Sequence, residues 1–247
     1  MNDPTPAPTV GMIYPGHAAE DEYPAAAEAL GAQLPVAHIY GTDLHAVPEL
    51  LDLGSPARLR DGAAGLAEHR PQAVMWACTS GSFVYGLDGA RAQAADLAAA
   101  AGVPASSTSL AFLAALDHLG LSRVAVAASY PADVAEAFTE FLAAGGVEVV
   151  AMGSAGIDTA AEVGTLSADQ VLALAAAGDH PDAEAVLVPD TAMHTLPLLP
   201  QLETRLGKPV LTANQVTIWQ GLLLAGHSAT SPVLGALVNG RQDHARR

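Results

Sequence analysis

The amino-acid sequence predicts an α/β protein of two lobes, each a parallel sheet with helices on both faces. Short runs of β-branched and apolar residues alternate with Ala- and Leu-rich amphipathic stretches, as in consecutive βα units. Runs such as "AVMWA" (73–77) are apolar at every position, as strands covered on both faces require. Landmarks of the first half recur in the same order in the second.

In chain order the expected strands are 9–14, 35–40, 73–77, 104–107, 123–128, 147–152, 185–189 and 209–213. Helical periodicity fills the intervals, most clearly over 55–70 and 130–146, and the latter ends on glycines that suit a helix C-terminus. Only the termini read as loose, at 2–9 and 240–247. "VGMIYPG" (10–16) pairs with "VAVAASYP" (124–131), "AVMWACTSGS" (73–82) with "AVLVPDTAMH" (185–194), and "GVPASSTS" (102–109) with "GKPVLTAN" (207–214). These matches read as an internal duplication, with one lobe formed by 1–118 plus 213–247 and the other by 119–212. Cys78 and Asp190 then occupy equivalent places, each ending a buried strand and each followed by Thr. Open parallel sheets bind ligands beyond the carboxyl ends of their strands. Two lobes facing across a pseudo-two-fold would bring Cys78 and Asp190 into one cleft, a geometry suited to proton transfer or attack at a single carbon.

Composition narrows the function. The 247 residues carry 26 acidic and 10 basic side chains, a formal charge of −16 with no basic cluster, which argues against a nucleic-acid partner. No apolar run reaches the ~18 residues of a membrane span, and the start lacks the basic and apolar regions of a secretion signal. The single cysteine excludes an internal disulfide. A cytoplasmic protein with a small-molecule ligand is expected, and a homo-oligomer is compatible with the sequence. The histidines lack metal-ligand spacing, and neither a phosphate loop nor a dinucleotide fingerprint is present, so neither metal nor cofactor is expected.

Lone cysteines usually pack as small hydrophobes. The "TSGS" that follows Cys78 shifts the reading to a reactive thiol: Gly81 permits close backbone approach, and Thr79 and Ser80 add hydroxyl donors. At a helix start the thiol pKa is expected to be lowered. Asp190 before Thr191 is either a helix cap or an acid whose carboxyl is raised by burial with no cation beside it. Tyr14 and Tyr130, each before Pro at a strand end, are placed to donate hydrogen bonds. His17 and His194 flank the two turns and are solvated loop residues or partners of an anionic ligand.

The chain resembles the aspartate/glutamate racemase superfamily, in its branch of maleate cis–trans isomerases and arylmalonate decarboxylases. "GMIYPG" (11–16), "CTSGSF" (78–83), "ASYPADV" (128–134), "PDTAMHTL" (189–196) and "LETRLGKPVLTANQVTIW" (202–219) carry the resemblance over about residues 9 to 228. It implies two flavodoxin-like lobes, an active site in the cleft between them and chemistry without a cofactor on a small mono- or dicarboxylate. Cys78 falls on the first catalytic position, a cysteine in the isomerases and a glycine in the decarboxylases. Asp190 falls on the second, normally cysteine. Thr79, Ser80 and Tyr130 fall on donors to a substrate carboxylate, and the Thr191 N–H on an oxyanion donor. His17 and Ala135 stand where the isomerases have asparagines. The cysteine at position 78 favours a maleate-isomerase-type reaction through a thiol nucleophile. The alternatives are decarboxylation of a substituted malonate with an apolar pocket beside Phe83, racemisation of an amino acid or hydantoin, and carboxylate binding without catalysis.

Overall fold

The computed structural model describes residues 7–238, so the loose ends expected at 2–6 and 240–247 lie outside the described residues. Eight strands form two four-stranded sheets. In the first, β1 (Val10–Pro15), β2 (Val36–Ile39), β3 (Ala73–Trp76) and β4 (Ala105–Ser107) lie in the order β2-β1-β3-β4. In the second, β5 (Arg123–Ala128), β6 (Glu148–Ser154), β7 (Ala185–Val188) and β8 (Val210–Thr212) lie in the order β6-β5-β7-β8. All neighbours are parallel, and the second order repeats the first. Each predicted strand is present, and β3 and β7 are buried at every residue, as apolar runs flanked on both faces must be.

Helices cover both sheets. The expected helix at 55–70 forms as Pro56–Leu66, continued by a 3₁₀ turn (Ala67–His69) that stops at Arg70, whose φ of 47° no helix accepts. The segment 130–146 forms Ala132–Ala144, and Gly146 behind it takes a φ of 81°. The last long helix, Ala213–Leu224, returns to pack on β1, β3, β4 and the helix Thr108–Leu119. There the hydroxyls of Thr108 and Thr217 share a buried hydrogen bond of 2.6 Å.

The two sheets meet in one core. Phe83 and Phe112 come from the first half of the chain and Phe138 from the second. Their rings lie 5.0 Å (Phe83–Phe138) and 5.8 Å (Phe112–Phe138) apart, each pair contributing about 1 kcal/mol beyond its buried area. In each sheet the chain reverses its winding direction between the first and third strands, β1 and β3 or β5 and β7. A crevice opens at the carboxyl ends of strands at such a point. Tyr14 and Cys78 lie at the first reversal, Tyr130 and Asp190 at the second.

Candidate active site

A cavity of about 230 Å³ lies at these strand ends. That is below the ~300–1,000 Å³ of drug-sized pockets and suits a small acid. Its polar lining includes Tyr14, His45, Cys78, Ser80, Asp190 and Thr191, and its apolar lining Leu44, Leu50, Leu53, Ala160, Ala161 and Ala192. Among the described residues, neither Lys nor Arg contributes to it.

Cys78 stands two residues past β3, where the chain turns into a single helical turn, Ser80–Phe83. Its Sγ accepts the Gly81 N–H at 3.3 Å and lies 3.8 Å from the Ser80 hydroxyl. The backbone can come this close only because position 81 is glycine: a Cβ there would sit 3.1 Å from Sγ and 2.9 Å from the Trp76 ring. The lowered thiol pKa expected from the sequence is not found. Burial pushes Cys78 up from 9.0 to about 12, with the Asp190 charge adding to the rise and the Gly81 and Ser80 donors only partly opposing it. One helical turn of donors does not offset the desolvation of a thiolate. Cys78 is a neutral thiol.

Beside it, the Thr79 hydroxyl is buried without a hydrogen-bond partner. An unpartnered buried hydroxyl costs about 1–3 kcal/mol, so the fold carries this polar group without a protein partner. The Tyr130 phenol is driven well above its ordinary pKa by burial and by the nearby Asp190 and Cys78, with the neighbouring Thr79 and Ser80 hydroxyls pulling the other way. Thr79, Ser80 and Tyr130 therefore lie close together, but of the three Ser80 alone lines the cavity, and Tyr130 donates its own hydrogen to the Pro189 carbonyl at 2.9 Å. Tyr14 is placed similarly: it donates to the Thr191 carbonyl at 2.9 Å and accepts the Ala19 N–H at 3.1 Å. The two tyrosines thus grip the turn on either side of Asp190.

Asp190 lies two residues past β7 and is buried. No helix starts at this turn, so it is not a helix cap; its Oδ1 accepts the Ala192 N–H at 2.9 Å, and its Oδ2 accepts the Ser129 hydroxyl. The turn is supported from behind by Asn214, whose side-chain amide donates to the Thr191 carbonyl at 3.3 Å and to Glu22 at 2.7 Å. Buried Glu22 also accepts the Thr195 and Leu196 N–H groups.

The ionisable side chain beside Asp190 is His45, which the sequence reading did not single out. This residue is buried, lines the cavity and carries its Nε2 3.8 Å from Asp190 Oδ2. Its ring stands edge-on to Tyr130 with centroids 5.0 Å apart. Its loop is fastened across the cleft, with the His45 N–H on the Asp158 carbonyl at 2.7 Å and the Ala160 N–H on the Asp43 carbonyl at 2.9 Å. No local pattern points to it, because loop 40–46 lacks periodicity and its partners lie over a hundred residues away.

His17 is exposed at the cavity rim, where its Nδ1 pairs with Glu20 at 2.7 Å and its ring lies 4.1 Å from that of His38. Among the described residues, His17, Glu20 and His38 are the trio whose ligand atoms could meet on a metal ion. His194 lies outside the lining and pairs with Asp21 at 2.8 Å. Phe83, expected beside an apolar pocket, packs instead on Tyr130 and Phe138 in the interlobe core; the leucines at 44, 50 and 53 provide the apolar lining.

The arylmalonate decarboxylase family model matches residues 10–238. Arylmalonate decarboxylase of Bordetella bronchiseptica is 32% identical over 226 residues, covering 90% of this chain and 92% of that protein. Maleate isomerase of Alcaligenes faecalis is 25% identical, covering 96% and 98%. Among solved structures, maleate isomerase from Pseudomonas putida S16, a cysteine-to-alanine variant with maleate, superposes with a TM-score of 0.87 at 21% identity, covering 95% of this chain and 98% of that one.

Proposed function

The chain belongs to the arylmalonate decarboxylase family, and from that premise we propose that it decarboxylates a small substituted malonate, with Cys78 as the proton donor to carbon. The observation that carries this reading is the neutral thiol, pushed up to about 12 beside the unpartnered Thr79 hydroxyl. A nucleophile must first lose that proton, whereas a donor to the enediolate carbon must hold it.

In this reading the retained carboxylate sits against Ser80, with the buried Thr79 hydroxyl next to it in the chain, and the departing one faces the leucine lining, where desolvation favours loss of its charge as CO2. The bond between the α-carbon and the departing carboxylate breaks, and its electron pair passes to the α-carbon and the retained carboxylate as an enediolate. Hydroxyl donors fixed at this turn would stabilise the new charge with little reorganisation. Cys78 then transfers its S–H proton to the α-carbon, and the thiolate is reprotonated from water. Packing of the helix Ala213–Leu224 on the first sheet supports dividing the lobes as 1–118 with 213–247, and 119–212.

A second reading, cis–trans isomerisation of a maleate-like acid, is favoured by the presence of a cysteine at this turn and by the relative from Alcaligenes faecalis. It requires deprotonation of Cys78, addition of the thiolate to the double bond, rotation and elimination. Proton NMR in deuterated buffer separates the two readings. An arylmalonate or methylmalonate yielding an α-deuterated monoacid supports decarboxylation. Conversion of maleate to fumarate, with malonates untouched, overturns it.

A further inference from the structure

We propose that the cavity takes up a proton together with its anionic substrate, and that His45, paired with Asp190, is the residue that holds it. The inference rests on the reading that this cavity binds a small carboxylate.

The charge balance requires such a device. The chain has a net charge of −16, and the cavity is lined by two acids, Asp43 and Asp190, with no Lys or Arg. A dicarboxylate entering beside Asp190 faces like charge in a poorly hydrated space. The groups in the cavity able to become cationic are His17 and His45. His17 is exposed at the rim and spends its Nδ1 on Glu20. His45 is buried against Asp190 and Tyr130 and shares the cavity with Cys78, Tyr14, Asp43 and His17.

The geometry of His45 fixes which atom takes the proton. Its Nδ1 lies 3.0 Å from the Ile157 carbonyl, and a carbonyl can only accept, so Nδ1 carries the hydrogen and Nε2 is bare in the neutral ring. That bare nitrogen faces Asp190 Oδ2 at 3.8 Å. Each oxygen of Asp190 already accepts a hydrogen bond, from Ala192 and Ser129, so both are held as acceptors. A proton arriving at Nε2 therefore creates an imidazolium–carboxylate pair in place, without moving the chain, and offsets the incoming charge. Because His45 belongs to the loop clasped onto residues 157–160, the pair also ties the two halves of the chain together when the substrate is present.

Malonate is the probe. Its binding heat is measured by titration calorimetry in buffers of different ionisation enthalpy, and the slope gives the protons taken up. Measured across a pH series, the maximum uptake should approach one proton per malonate. His45→Gln keeps a donor for the Ile157 carbonyl but cannot be protonated; uptake should vanish and affinity fall by roughly tenfold or more. Asp190→Asn should also reduce uptake, because the imidazolium loses its counter-ion. Binding of malonate without proton uptake overturns the proposal, as does uptake that persists in His45→Gln. Failure of the wild-type protein to bind malonate would instead overturn the carboxylate-site reading beneath it.

Discussion

Raising the pH on the wild-type protein and on Cys78→Ser isolates the ionisation of one buried thiol. The folded thiol is pushed from 9.0 to about 12, so the fold keeps a proton that the unfolded chain gives up at about pH 9. At about pH 8 an ordinary thiol is roughly one-tenth ionised and Cys78 roughly a ten-thousandth, so thiolate chemistry should be ~10³-fold slower. The sign for stability follows. The unfolded state binds fewer protons than the native state between these values, so the contribution is intact below about pH 9 and is lost as pH climbs toward 12, by about 4 kcal/mol in all. The thiolate absorbance difference between wild type and Cys78→Ser reads the ionisation, and urea unfolding of both across the alkaline range reads the stability. Tyrosine contributions cancel in the difference. A thiolate that appears at or below pH 9, or a stability difference that does not change with pH, refutes the neutral-thiol reasoning and returns Cys78 to the role of resting nucleophile.

Thr79→Val removes a buried hydroxyl that has no protein partner, so the melting temperature should rise, by about 1 kcal/mol or more of stability, while kcat/KM falls ~10²-fold. A drop in stability would show that the hydroxyl is already satisfied. Gly81→Ala drives a methyl against the Trp76 ring and Cys78 Sγ; calorimetry should show a loss of about 1–3 kcal/mol, and kcat should fall further than unfolding explains. Glu22→Gln places an amide N–H₂ against one of three donors, Thr195 N–H, Leu196 N–H and Asn214 Nδ2, and should cost about 2–3 kcal/mol in denaturant unfolding. An unchanged midpoint would remove Glu22 from the support of the Asp190 turn.

The strands were legible because both-face burial leaves a mark that turns and helices do not: β3 and β7 read as apolar runs and are buried throughout. The equivalence of Cys78 and Asp190 was legible for a related reason, since each stands two residues past the third strand of its sheet and the sheets share one order. Three features of the site were not. The direction of the Cys78 shift depends on how completely the thiol is desolvated, which no local motif records. The committed hydrogen bonds of Tyr14 and Tyr130 depend on carbonyls at 191 and 189 brought in by folding. His45 depends on a loop with no periodic signal, seated by Asp158 and Ile157 from the other half of the chain.

The central claim is that Cys78 delivers a proton to the reacting carbon of a small acid held by Thr79 and Ser80. The most direct measurement compares wild type with Cys78→Ala on one arylmalonate in deuterated buffer, followed by proton NMR. The expected result is an α-deuterated monoacid from the wild type and product formation slowed ~10²-fold or more in Cys78→Ala, with malonate still bound. Product formed by Cys78→Ala at the wild-type rate would contradict it.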